Sequence, residues 1–373
     1  MDRRIYLIAL VALMVIAGGA VWLAVRTVPN QVVSAKPIHS AADLPVLADS
    51  VPSLDGNQGW LNSPALTPAD LKGKVVLYDF WTYSCINCLR TIPHLQALYA
   101  RYHAQGLEIV GIHSPEFDFE KDHGNVTQAV KDLGVTWPVA FDDNMAVWQA
   151  FGNQYWPAEY LADEDGKIRS VHFGEGDYSQ KEDEVRALLG IDASASRAGA
   201  TGTPDPTATA LQTPEMHLGT SFDGPQWCSS PGDYATRADF TVPDSQPGNT
   251  FALSGSWAVG GQDATSASSD ATLVLRYQAT EVNGVLSSSV SSGPGSGALA
   301  PQVTTVIVEL DGQEVPAAMR PPGMTEQDGH TVIAVGMSDL YHLIEGGPSG
   351  AHTLTLRPTG ATSVFAFTYG TIS

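Results

Sequence analysis

The apolar positions of this chain change their period twice, and each change marks an element class. Residues 5–25 run for 21 positions without a charge, after Met1-Asp2-Arg3-Arg4. About 20 apolar residues cross a bilayer, whereas a cleaved signal carries an apolar region of roughly 7–15. The pattern predicts an uncleaved signal anchor over residues 1–26. Arg3 and Arg4 hold its N-terminus in the cytoplasm, opposed by Arg26 on the other flank. Residues 27–50, with scattered prolines, read as a linker.

From Val51 the pattern becomes compact. Residues 75–80 are a continuous run of β-formers and predict a buried strand. Leu89, Ile92, Leu95, Leu98, Tyr99 and Tyr102 then recur at helical spacing. Pro93 falls inside that helix, removes one backbone hydrogen bond and kinks it. A second buried strand is predicted over 107–112, a crossover helix over 126–133, an extended stretch over 136–141 and a short helix over 144–151. Residues 158–162 and 167–173 flank Asp163-Glu164-Asp165-Gly166, the signature of a β-hairpin. A helix over 180–189 closes an α/β unit spanning 51–192.

Residues 193–213 are small, polar and punctuated by proline, so they read as a flexible linker. Beyond them the composition shifts: from Pro214 onward there are 15 acidic residues, four arginines and no lysine. Short alternating runs recur at 250–253, 256–259, 271–278, 302–310, 331–334, 352–357 and 363–369. Turn residues separate them, as at Asp311-Gly312, Pro321-Pro322-Gly323 and Gly346-Gly347-Pro348. That pattern predicts an all-β sandwich over 214–373. A linker of this length has an r.m.s. span on the order of 25 Å, which predicts two independent modules, the sandwich not required to sit over the first.

Charge and cysteine usage narrow the function. The 373 residues carry a formal net charge of −21, and no basic face is present to bind nucleic acid. Cys85-Ile86-Asn87-Cys88 lies where the strand hands over to the helix. Two thiols flanking two residues can close a small disulfide ring, and the helix N-terminus with its partner thiol favours the thiolate of the outer one. Half a zinc site has the same spacing, but no second pair follows. Cys228 stands alone and reads as a buried small apolar residue.

At these residues a family resemblance appears. Asp79-Phe80-Trp81, the C-x-x-C and Pro93 resemble the active-site segment of thioredoxins. The string from Trp81 to Arg90 is similar to the thioredoxin-like domain of DipZ-type proteins, relatives of the TlpA/ResA exported thiol reductases. Residues 54–61 and 64–71 look like the N-terminal extension of TlpA-like domains. Thr213 to Gly219, Gly255-Ser256-Trp257, Leu310-Asp311-Gly312, Leu340-Tyr341 with Leu343, and Phe365 to Gly370 resemble the DipZ-type C-terminal domain. The implied fold class is an α/β thioredoxin-like domain plus an all-β jelly-roll sandwich reminiscent of carbohydrate-binding modules, preceded by one N-terminal transmembrane helix. DipZ-type proteins carry a multi-span electron-conducting domain, whereas one anchor helix is predicted here. Reductant would come from a separate membrane protein of the CcdA/DsbD type, or the site would run as an oxidant.

The resemblance implies roles. Cys85 is the nucleophile and Cys88 the resolving thiol, acting on protein thiols and disulfides. Asp79 matches the buried carboxylate that moves the proton of Cys88. Trp137-Pro138 and Trp156-Pro157 both compete for the cis-proline opposite the thiols, and Pro157 is chosen because the hairpin follows it at once. Trp81 packs beneath the active-site loop; Trp156 and Glu116, the latter at the position of a TlpA/ResA active-site glutamate, complete the surroundings. Arg90 reads as a solvated helix face, and His113 and His123 as loop histidines. No cofactor or metal is implied beyond the Cys85–Cys88 disulfide. Two other readings stand beside this one. Thr82-x-x-Cys85 fits part of a peroxiredoxin pattern, with Tyr78 in its proline position. The thiols could instead hold Cu(I) as a metallochaperone with His113 as third ligand. Trp227, Trp257, Tyr341 and Tyr369 could stack on a carbohydrate or cell-wall ligand, core packing being their ordinary use. The location implied is a bacterial cell membrane, single-pass, with the catalytic domain extracytoplasmic.

Overall fold

The computed structural model describes residues 38, 40–192, 194–197, 212–288 and 303–370. The expected anchor over 5–25 and most of the linker over 193–213 lie outside these. Among the described residues, no helix is long and apolar enough to cross a membrane.

Six strands form the first sheet: β1 (Trp60–Leu61), β2 (Val75–Trp81), β3 (Leu107–His113), β4 (Val139–Phe141), β5 (Ala158–Ala162) and β6 (Ile168–Phe173). Their order is β1-β4-β3-β2-β5-β6, with β2, β3 and β4 parallel and β1, β5 and β6 antiparallel to their neighbours. Central β2 is buried at every position, as a strand covered on both faces must be. Val76, Tyr78 and Phe80 pack on one side with Val147, Trp148 and Phe151 of the short helix Ala146–Phe151. By alternation, Leu77, Asp79 and Trp81 face the other layer. From the end of β2 the chain turns into the helix Ile86–Tyr102, which begins at Cys85.

The hairpin and both long helices lie within a few residues of their expected bounds. The closing helix is Tyr178–Leu188. The crossover helix is His123–Asp132, starting earlier because the Asp122 carboxylate caps the amides of Gly124 and Asn125.

The C-terminal region holds β7 (Met216–His217), β8 (Asp239–Phe240), β9 (Thr250–Val259), β10 (Ala264–Ser266), β11 (Thr272–Gln278), β12 (Glu281–Ser287), β13 (Thr304–Leu310), β14 (Gln313–Glu314), β15 (Thr325–Gln327), β16 (His330–Val335), β17 (Asp339–Ile344), β18 (Ala351–Pro358) and β19 (Ser363–Gly370). The main path runs β15-β16-β13-β18-β11-β9-β10-β19-β12-β17. β9 joins two layers: its first half pairs with β11 and its second with β10. Between the halves Gly255 has φ +77 and packs against the Ala271 backbone, where a Cβ would crowd it. The predicted runs 250–253 and 256–259 are thus one bent strand. A single apolar core, including Phe251, Trp257, Leu275, Val308, Leu356 and Phe367, fills the space between the layers.

The two folded regions are not independent, contrary to the expectation from the linker. β11 alternates buried and half-buried positions, whereas β19 is buried throughout and β12 nearly so. The inward residues of β19 and β12, Val364, Phe367, Val282 and Leu286, belong to the sandwich core. Their neighbours Phe365, Ala366 and Val285, with Leu340 of β17, form a second cluster with Ile86 and Phe117 of the thioredoxin-like region. Phe365 lies with its ring centroid 5.3 Å from that of Phe117 and 4.9 Å from that of Phe119. A flexible linker bounds the distance between modules but does not oppose docking once the sandwich presents a second apolar face. Each large side chain buried there stabilises by about 1.5–3 kcal/mol. The ion pairs across the contact, Arg90–Glu281 and His217–Glu116, are mostly buried, so desolvation offsets much of their attraction; the apolar contact dominates and charges set its register.

Candidate active site

The end of β2 fixes the site. Cys85 is the N-cap of its helix, in extended conformation, and its Sγ accepts a hydrogen bond from the Cys88 amide at 3.4 Å. One of the helix's unpaired amides therefore points at the sulfur, where negative charge is favoured. Cys85 is half-buried, Cys88 is 1% exposed, and both thiols are free. Burial pushes the Cys88 thiol well above its ordinary range, and its hydrogen bond with Cys85 and the nearby charges of Cys85 and Asp79 add to the rise.

Three ionisable groups lie buried in the layer below. Asp79 is 2% exposed and is the direct cross-strand partner of Glu159 on β5. Lys181, from the closing helix, donates from Nζ to Glu159 Oε1 at 2.7 Å, with both side chains almost fully buried. Burial drives the Asp79 carboxyl well above the usual carboxylate range; the Glu159 charge adds to this and the Lys181 ammonium opposes it. One ammonium cannot neutralise two buried carboxylates, so the odd carboxyl favours its proton. Glu159 and Lys181 were absent from the sequence-derived site.

The Trp156–Pro157 bond is cis. Phe80 pairs with Ala158, so Pro157 lies level with Trp81, at the end of β2 from which the thiol loop departs. Trp156 stacks near Trp148 and donates from Nε1 to the Ser114 carbonyl at 2.9 Å. Trp81 is buried edge-on against His113.

Several residues stand elsewhere than expected. Glu116 turns toward the sandwich, where its Oε1 lies 2.9 Å from Nε2 of His217. Burial opposes the charged form of His217, but the hydrogen bond and charge of Glu116, with the charges of Glu215 and Asp223, raise it to about 9. The carboxylate that does reach the thiol loop is Glu120. It accepts from Ser84 Oγ at 2.6 Å, one residue before Cys85, and from the amides of Glu116 and Phe117. Burial, with the Glu116 charge, lifts Glu120 to about 7 against those hydrogen bonds. Arg90 is no solvated face: its guanidinium meets Glu175 at 3.1 Å and Glu281 of the sandwich at 2.6 Å. Gly370 lets that pair pass close to the β19 backbone, since a Cβ there would collide with both side chains.

His113 ends β3 rather than lying in a loop. It is fully buried, stacked on Tyr83, and burial pulls it down to about 3. His123 begins its helix, stacked on Phe141 with Nε2 2.8 Å from Asp143. Cys228 is half-buried at the margin of the sandwich core. Trp257 and Tyr369 are core residues, and Trp227 and Tyr341 pack against that core. Trp257 and Tyr369 are thus used in packing, while Trp227 and Tyr341 stay partly exposed. Among the described residues, the three-ligand cluster with metal-binding spacing is Glu309, Glu314 and His330 of the sandwich, and it includes neither thiol.

Comparison with known proteins agrees with this arrangement. The profile of the family described as Redoxin matches residues 49–189, and that of the thioredoxin-like C-terminal domain matches residues 213–370. The protein DipZ of Mycobacterium tuberculosis is 40% identical over 328 residues, covering 86% of this chain and 43% of DipZ. The thiol–disulfide oxidoreductase YkuV of Bacillus subtilis is 31% identical over 143 residues, 38% of this chain and 96% of YkuV. ResA of Halalkalibacterium halodurans, also a thiol–disulfide oxidoreductase, is 31% identical over 129 residues, 35% of this chain and 70% of ResA. The chain thus spans less than half the length of its DipZ relatives but nearly all of YkuV. It belongs to the thioredoxin-like thiol–disulfide oxidoreductases, in the DipZ-type group that joins a redoxin domain to a thioredoxin-like C-terminal domain.

Proposed function

We propose that this protein is a membrane-anchored, extracytoplasmic thiol–disulfide oxidoreductase that exchanges disulfides with protein substrates through Cys85 and Cys88. The observation that carries the reading is the asymmetry of the two thiols. Cys85 is half-buried and sits on the helix N-terminus, while Cys88 is sealed and its proton is held tightly.

In the reducing direction, the Cys85 thiolate attacks one sulfur of a substrate disulfide. A Cys85–substrate bond forms and the substrate's own S–S bond breaks, releasing one substrate thiolate, which takes a proton from water. Cys88 then passes its proton to Asp79 in its ionised form, a carboxylate made a stronger base by its burial. The Cys88 thiolate attacks Cys85 Sγ, forming the Cys85–Cys88 disulfide and releasing the second substrate thiol, which recovers the proton. Two electrons pass from the dithiol to the substrate, and the reverse sequence oxidises one. A separate membrane donor of the CcdA/DsbD type would restore the dithiol. The potential of the pair decides the direction: near −270 mV it would act as a reductase and near −120 mV as an oxidant.

Cys88→Ser should trap a mixed disulfide on Cys85, because the resolving thiol is gone. Non-reducing electrophoresis and mass spectrometry of the adduct would read this, and trapping by Cys85→Ser instead would reverse the two roles. The buried trio gives a second expectation. Glu159→Gln removes a charge that raises Asp79, so Asp79 should titrate at lower pH. Lys181→Met removes one that lowers it, so the midpoint should rise. Carboxyl carbon NMR follows both, and movement in the same direction would contradict the assignment. The anchor rests on the uncharged run over 5–25 behind Arg3 and Arg4. The mature protein should stay with membranes through a salt wash and leave them in detergent; soluble protein beginning near residue 27 would show a cleaved signal instead.

A further inference from the structure

Three positions around the outer thiol touch the sandwich. The Tyr83 hydroxyl, two residues before Cys85, donates to the Ser338 carbonyl at 3.3 Å. Ile86, the residue after Cys85, is 5% exposed and lies in the cluster with Val285, Leu340 and Phe365. Arg90, one turn further along the same helix face, pairs with Glu281. Residues 86, 89 and 90 share a face by helical spacing, and Leu89 also packs against the cluster. One whole side of the thiol-bearing helix end is therefore closed by β12, β17 and β19.

The side toward the cis-proline differs. Tyr155, two residues before Pro157, is 53% exposed, and Phe173, the cross-strand partner of Ala158, is 55% exposed. Their ring centroids lie 5.0 Å apart. They are the exposed large aromatics among the described residues. On the far rim, Met337 is 43% exposed beside Ser338, at the point where the sandwich meets Tyr83.

We propose that the sandwich edge formed by Val285, Leu340 and Phe365 is a selectivity wall for the thiol chemistry. It leaves the Pro157 side as the approach to Cys85 and admits flexible, extended polypeptide disulfides in preference to disulfides set in a folded surface. The reason is steric. Attack needs the Cys85 sulfur in line with the substrate S–S bond. A wall fixed next to Cys85 obstructs a broad convex surface but not a narrow segment that reaches in over Tyr155 and Phe173. The inference rests on the thiol–disulfide exchange proposed above and adds the class of substrate.

The test uses the full chain. Val285→Ala and Leu340→Ala remove buried contacts with Ile86 and so loosen the wall, without touching the thiols, the buried trio or Pro157. Reduction of oxidised glutathione, a small flexible disulfide, and of native insulin, with disulfides in a folded protein, is measured for each variant. The account expects the glutathione kcat/KM to stay within about twofold while that for insulin rises by about fivefold or more. Equal changes for both substrates, or no change for either, would overturn the wall. Should trimming unfold the chain, Glu281→Gln loosens the same contact by releasing Arg90, and the same ratio is expected to move the same way. Wild-type protein inactive toward both disulfides would refute the exchange reaction itself, an outcome distinct from an unchanged ratio.

Discussion

Ile86 lies between the two thiols, and its side chain is held by Val285, Leu340 and Phe365 from a region more than 190 residues away in the chain. That apolar contact is the constraint on which the active-site surroundings depend. With Ile86 buried, the Tyr83–Ser338 hydrogen bond and the Arg90–Glu281 pair become geometrically available, since both radiate from the same contact. The ion pairs alone would hold little, because desolvating two mostly buried charges offsets much of their attraction. Apolar burial provides the attraction, and the polar contacts choose one register among the ways two greasy faces could meet.

Beneath this contact a second constraint sets the chemistry. β2 is covered on both faces, so any polar side chain on it is removed from water. Asp79 has a like charge as its cross-strand neighbour and must share one ammonium with it. A buried pair such as Lys181–Glu159 is weak evidence for stability, since desolvating two charges offsets much of their attraction. Its effect on a third, functional group is the more direct account of its presence. Burial raises the Asp79 carboxyl; within the pair, Glu159 adds to that rise and Lys181 opposes it.

The local geometry of the site was legible in the sequence because it depends on neighbours in the chain. The apolar run of β2, the two thiols at a helix start and a proline just ahead of a hairpin each carry their own signal. What escaped depends on tertiary partners. The segment around Lys181 reads Ser179-Gln180-Lys181-Glu182-Asp183-Glu184, which looks solvated, yet Lys181, Glu182 and Glu184 are all buried. Arg90 looked like a solvent-facing position because its carboxylate partner on β12 is remote in sequence. The docking of the sandwich did leave a trace. β19 reads Val364-Phe365-Ala366-Phe367 without alternation, the mark of a strand covered on both faces, whereas β11 alternates. The linker's flexibility pointed to independence, but it is the second apolar face that decides.

The central claim is that one thiol is presented and the other sealed. A brief pulse of limiting iodoacetamide on the reduced, folded protein at neutral pH, with the cysteine peptides quantified by mass spectrometry, tests it most directly. The account predicts carbamidomethylation at Cys85, with Cys88 protected until the protein is denatured. Labelling of Cys88 at an equal or faster rate than Cys85 would contradict it.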